Sequence, residues 1–132
     1  MYEALQDLFQ SKKNNKTKGG YGEELAVKFL AKKGYFIRER NWHYGKNEID
    51  IICEYQGLMI FVEVKLRTSD YFIEPQQAVN VKKQKAIVKV ADGYLREKDI
   101  NIESRFDIIA ITFIDGSKPE IEHFEDAFYS FM

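Results

Sequence analysis

From Tyr21 to Lys33 the apolar residues Leu25, Ala26, Phe29 and Leu30 recur at the spacing of one helix face, and Gly34 stops the run. The spacing predicts a helix over 21–33 closed by a glycine, the residue that best adopts the left-handed turn after a helix end. The period then changes. YFIRERN at 35–41 reads as a strand and WHYGKN as a turn; EIDIICEY at 48–55 and LMIFVEVKLR at 58–67 are two β-rich runs separated only by Gln56-Gly57. That spacer predicts an antiparallel hairpin. Apolar residues are nearly continuous in both runs, which predicts a sheet covered on both faces.

Helical spacing returns with Gln84, Ile87, Val88, Ala91, Tyr94 and Leu95, a helix over roughly 80–96 with Asn80 as its N-cap. RFDIIAITFI at 105–114 is another strand, Asp115-Gly116 a turn, and PEIEHF a short final strand. The order α-β-β-β-α-β-β describes an α/β domain with a mixed sheet between helices. Ahead of it, residues 2–10 predict a short peripheral helix and SKKNNKTKGG at 11–20 a flexible basic connection. The expected division is an N-terminal segment 1–18 and one domain, 19–132.

Composition agrees with one globular domain: 132 residues, 45% hydrophobic and 31% charged. Cys53 is the only cysteine, which excludes a disulfide framework and a thiolate zinc site and fits a reducing compartment. No apolar run approaches the ~18 residues of a membrane span, and the acid-bearing N-terminus does not read as a signal peptide. The expectation is a soluble cytoplasmic protein with no membrane partner. A net charge of −1 gives no whole-molecule attraction to a polyanion, so a nucleic-acid site has to be a local patch. Residues 11–18 form one candidate; Lys82, Lys83 and Lys85 form another, with a solvated helix face as the alternative for each.

Four charged residues interrupt the apolar strands. Side chains alternate across a strand, so Glu48 and Asp50 are expected on one face, as are Glu63 and Lys65. Pairing the hairpin would crowd three carboxylates and an ammonium, at a cost in desolvation and repulsion that a divalent cation relieves. Oxygen ligands without clustered His or Cys favour Mg²⁺ or Mn²⁺, held by Asp50 and Glu63. Lys65 would orient a nucleophile or stabilise developing charge, and the chemistry indicated is phosphodiester hydrolysis. On a helical wheel Glu23 falls beside Leu30 at the edge of the apolar face while Glu24 points away, so Glu23 is the helix acid able to reach an interior site. Gln84 begins the apolar stripe of the second helix and needs a polar partner there.

These residues resemble a known pattern. An acid in a helix, then an Asp, a strand bearing E-x-K and a helix bearing Gln and Lys are similar to the PD-(D/E)xK, restriction-endonuclease-like nucleases. GYGEELAVKFLAKKGY, NEID, FVEVKLR, VKKQK, RFDIIAI and HFEDAF, spread over about residues 19–128, look more closely like the bacterial YraN family, relatives of archaeal Holliday-junction resolvases. The resemblance implies a restriction-endonuclease-like fold, Asp50 and Glu63 as metal carboxylates, Lys65 as the catalytic lysine, Glu23 as the helix acid and a further metal ligand, and Gln84 as the polar residue of the second helix. It also implies nucleic acid as partner, DNA before RNA, with branched DNA as a candidate substrate and a homodimer by analogy. Ile49 stands where the motif often has Pro, and Asn47 where this family usually has Gly.

Plainer readings stand beside these. The four charges of the hairpin also suit exposed cross-strand ion pairs, and Glu23 suits an ordinary acid in the first turn of a helix. Glu48 suits a partner for a nearby lysine or arginine, and Gln84 a structural role. His43 and His123 are expected to be neither ligands nor bases. Trp42, Tyr44, Tyr71 and Phe72 flank the acidic strands, where they would pack on the domain or stack on bases. Against the nuclease stands a nucleic-acid-binding or assembly module that keeps the fold without turnover.

Overall fold

The computed structural model describes residues 15–68 and 79–129. Helix α1 spans Asn15–Lys32, followed by strands β1 (Phe36–Tyr44), β2 (Asn47–Tyr55) and β3 (Leu58–Thr68), helix α2 (Val81–Glu97), and strands β4 (Ser104–Phe113) and β5 (Glu120–Phe128). This is the predicted order. The strands lie in one sheet, β1-β2-β3-β4-β5, antiparallel except for β3 and β4, which run parallel. A parallel pair needs a crossover, and α2 lies within it.

Each turn follows from its residues. The β2–β3 hairpin closes through Gln56 and Gly57, both at positive φ, as a two-residue primed turn requires. After α1, Gly34 at φ +93 lets Tyr35 N–H reach the Leu30 carbonyl and its own N–H the Ala31 carbonyl, which closes the helix end. Asn80 caps α2, its side chain accepting from Lys83 N–H at 2.8 Å.

The sheet divides two cores. Met59 and Phe61 of β3 and Phe106 and Ile108 of β4 pack with Ile87, Val90, Ala91 and Tyr94 of α2; on the other face Ile60, Val62, Ile109 and Ile111 pack with Ala26 and Leu30 of α1. Burial on both faces is the reason the strands read as continuous apolar runs. Three boundaries differ from expectation. Helix α1 already includes Asn15, the first described residue, so part of the connection expected at 11–20 is helical. Strand β1 runs on to Tyr44, through residues read as a turn, because Trp42 and Tyr44 pack onto α2: Trp42 meets Tyr94 edge to face at 5.0 Å, and the Tyr44 ring lies where a Cβ on Gly93 would sit. Strand β5 extends to Phe128, which stacks on Phe106. The helix expected over 2–10, and Tyr71 and Phe72, lie outside the described residues.

Candidate functional site

The β2–β3 ladder pairs Tyr55 with Leu58 through Ile51 with Val62 and ends there. Asp50 comes next, and its Oδ2 accepts the Val64 N–H at 2.8 Å, so a side chain takes over where the backbone ladder stops. The strands part at this point, and Asp50 and Glu63 meet in the opening, close enough to share a proton. Strict alternation fails in β2. Ile49 and Ile52 pack on the α2 side while Ile51 and Cys53 pack on the α1 side, so the strand rotates locally at Asp50.

Glu63 is buried, 7% exposed, and follows Met59 and Phe61 on the α2 face of β3. Its Oε2 lies 4.0 Å from Lys65 Nζ and 3.9 Å from Lys83 Nζ, the latter delivered by the first turn of α2. Gln84, also buried, donates from Nε2 to the Val79 carbonyl at 2.7 Å. It therefore braces the turn that presents Lys83 and spends its amide on the backbone. Lys82 and Lys85 are exposed on the same turns.

The electrostatics follow from this crowding. Burial and then the Asp50 charge push the Glu63 carboxyl up to about 8, against the smaller opposing pull of Lys83 and Lys65. Asp50 is also raised, first by burial, with Glu23 and Glu48 adding to the repulsion. Two carboxyls in this situation titrate as a pair and hold one proton between them near neutrality.

Glu23, 5% exposed on α1, is near enough for its charge to act on Asp50, while Glu24 is half-exposed. The helical wheel separated them correctly. Glu23 Oε1 accepts from Arg40 Nε at 3.0 Å and from Asn41 Nδ2 at 2.8 Å, two contacts that no reading of the sequence anticipated. Glu48 is 42% exposed and lies 3.4 Å from His43, a histidine in place of the lysine or arginine expected, whereas Glu63 is buried beside Lys65 and Lys83. Among the described residues no group of three or more His, Cys, Asp or Glu side chains gathers to hold a metal ion. The carboxyls that come together at the end of the β2–β3 ladder are Asp50 and Glu63.

A second polar cluster escaped the sequence. Asp107, fully buried in β4, accepts from Arg105 Nε and Nη2 at 2.9 and 2.8 Å, from His123 Nε2 at 2.7 Å and from Asp126 N–H at 3.0 Å. Lys33 Nζ lies 2.7 Å from His123 Nδ1, so the ammonium donates there and the imidazole carries its proton on Nε2. Arg105 also donates to the Tyr35 hydroxyl at 2.8 Å. The signal available was R-x-D in a strand, which puts Arg105 and Asp107 on one face; nothing local pointed to His123. Cys53 is buried, and that burial pushes its thiol up to about 12.

The model of Uncharacterised protein family UPF0102 matches residues 22–111. This chain belongs to the UPF0102 family. It is 47% identical over 113 residues to a UPF0102 protein of Flavobacterium psychrophilum, covering 86% of this chain and 94% of that one. A UPF0102 protein of Clostridium perfringens is 46% identical over 119 residues, 89% and 98% of the two chains, and one of Bacteroides thetaiotaomicron 40% identical over 111 residues, 84% and 91%. UPF0102 is the YraN family that the ordered sequence blocks resemble. The UPF0102 match includes Glu23, Asp50, Glu63, Lys65, Lys83 and Asp107 and stops short of His123.

Proposed function

We propose that this chain is a divalent-metal-dependent nuclease that hydrolyses phosphodiester bonds in nucleic acid, DNA before RNA, with branched DNA a candidate substrate. One observation carries the reading: the Asp50–Glu63 pair is partly or wholly removed from water where β2 leaves β3, with two ammonium groups beside it. A pair this repulsive is costly to keep for packing alone and is relieved by a divalent cation. Two carboxylates without His or Cys beside them in the pair suit Mg²⁺ or Mn²⁺ and not a closed zinc cage. When bound, the ion supplies a more acidic water and neutralises charge on a phosphoryl oxygen.

The protein's own groups complete the site. Asp50, oriented by Val64 N–H, and Glu63 would hold the ion, Glu63 as the carboxylate with its proton released to water. Lys65 orients the attacking water or stabilises the charge that develops on the phosphate. Lys83 contacts a phosphate oxygen at the carboxylates, and Lys82 and Lys85 bind the backbone further out. The restriction-endonuclease-like superfamily, a cytoplasmic location and a homodimer belong to the same proposal. One observation favours a binding module without turnover: Glu23, expected as a further ligand, is engaged by Arg40 and Asn41.

The test is cleavage of end-labelled single-stranded, duplex, flapped and four-way-junction DNA, and of an RNA, with Mg²⁺ or Mn²⁺. Wild-type cleavage that disappears in Asp50→Asn and in Lys65→Ala is the expected result. Cleavage surviving in both variants marks a contaminant and removes the site assignment. A folded, metal-supplied wild type that cuts none of these leaves the binding module as the better reading.

A further inference from the structure

Asn41 has φ +51 in the interior of β1. Asparagine tolerates this left-handed conformation better than most residues, but a strand does not call for it. The ladder continues on either side, Arg40 pairing with Ile51 and Trp42 with Ile49, so Asn41 lies across from Asp50. Core packing does not explain the conformation, because Asn41 is exposed. Its amide nitrogen nevertheless reaches inward to Oε1 of the buried Glu23, the oxygen that Arg40 also holds. Arg40 is shared, since its Nη1 reaches Glu24 at 3.0 Å. In β5, Asp126 at φ +54 likewise turns an N–H onto a buried carboxylate, Asp107.

We infer that Asn41 is a positioning residue whose left-handed backbone holds the Glu23 carboxylate beside Asp50, clamping one oxygen and leaving the other outside the clamp. Glu23 then serves the Asp50–Glu63 pair as an oriented acceptor for water. The inference rests on the metal-dependent reading given above and adds the residues that fix its third acid. It also resolves the engagement of Glu23: the two donors orient the acid for the site.

Asn41→Gly keeps the left-handed conformation and removes the amide, so it separates positioning from folding. The experiment compares wild type, Asn41→Gly, Glu23→Gln and the double variant by urea unfolding, by calorimetric titration with Mn²⁺, and by kcat and KM for whichever DNA the wild type cuts. The expected result is an unchanged unfolding midpoint in Asn41→Gly, with Mn²⁺ affinity or kcat lower by about 10-fold or more, as loss of a supporting hydrogen bond around a metal site produces. KM stays near wild type, and the double variant is no worse than Glu23→Gln alone. Asn41→Gly that matches wild type in Mn²⁺ affinity and kcat overturns the inference, as does a loss confined to KM. Should the wild type bind Mn²⁺ without cutting, the cleavage reading fails and the Mn²⁺ affinities still decide the role of Asn41. A wild type that neither binds nor cuts removes the metal reading and this inference together.

Discussion

Two carboxylate clusters lie one residue apart across the β3–β4 ladder, where Val62 pairs with Asp107 and Glu63 with Ile108. They solve the same problem in opposite ways. Asp107 takes four hydrogen bonds from Arg105, His123 and the Asp126 backbone. Burial raises its pKa, but the hydrogen bonds from His123, Arg105 and Asp126 outweigh that and hold the carboxyl below the usual aspartate value. Asp50 and Glu63 face each other with one backbone N–H and two ammonium groups near 4 Å, and both are raised. A buried acid with every acceptor filled serves the fold. A pair left short of positive charge is the candidate functional site.

The largest effect expected from this contrast is Asp107→Ala. It strips the Asp107 carboxylate from the Arg105 guanidinium, 14% exposed, which keeps only the Tyr35 hydroxyl and the half-exposed Glu125, and it leaves the His123 Nε2 without its acceptor. Breaking a buried pair from one side costs about 3–5 kcal/mol. Urea unfolding at neutral pH measures it; a loss under about 1 kcal/mol would show that the cluster is not the structural one.

Glu63→Gln should act the other way. Between the ordinary glutamate value of 4.5 and about 8, the folded protein keeps a proton on Glu63 that the unfolded chain has lost. Stability therefore falls as pH rises through that window, and the substitution recovers it. The gain expected at pH 8 is about 1–3 kcal/mol, vanishing near pH 4. Asp107, with its lowered value, has the reverse sign: its contribution is full at neutral pH and lost as acid protonates it. Urea midpoints at pH 4, 6 and 8 for wild type and Glu63→Gln separate the two. A flat difference across pH would mean that the carboxylates do not share a proton.

The fold was legible because its periods are clean. Continuous apolar runs in β2 and β3 fit a sheet with Met59 and Phe61 turned to one helix and Ile60 and Val62 to the other. The helical wheel also placed Glu23 inside and Glu24 outside. Alternation fails between Ile49 and Ile51, which pack on opposite faces, and long-range contacts rather than period set the surroundings of the acids beside them: Glu48 lies against His43, and Asp50 accepts the Val64 N–H. Long-range pairs were invisible: His123 meets Asp107, and Asn41 meets Glu23, through the folding of distant segments. Both meetings are joined by residues at positive φ, Asp126 and Asn41, a backbone choice that side-chain periodicity does not encode.

Glu48 tests where the open cluster ends. It is near enough to raise the Asp50 carboxyl, yet its contact with His43 is exposed at both ends, 67% and 42%. An ion pair so placed is screened and contributes little. Glu48→Gln should change stability by under about 0.5 kcal/mol and leave Mn²⁺ affinity within about threefold of wild type. Urea unfolding and calorimetric titration check both. A larger loss of Mn²⁺ affinity would make Glu48 a ligand, and the opening at the end of β2 would then be a three-carboxylate site in which Asp50 takes its orientation from its own strand as well as from Val64.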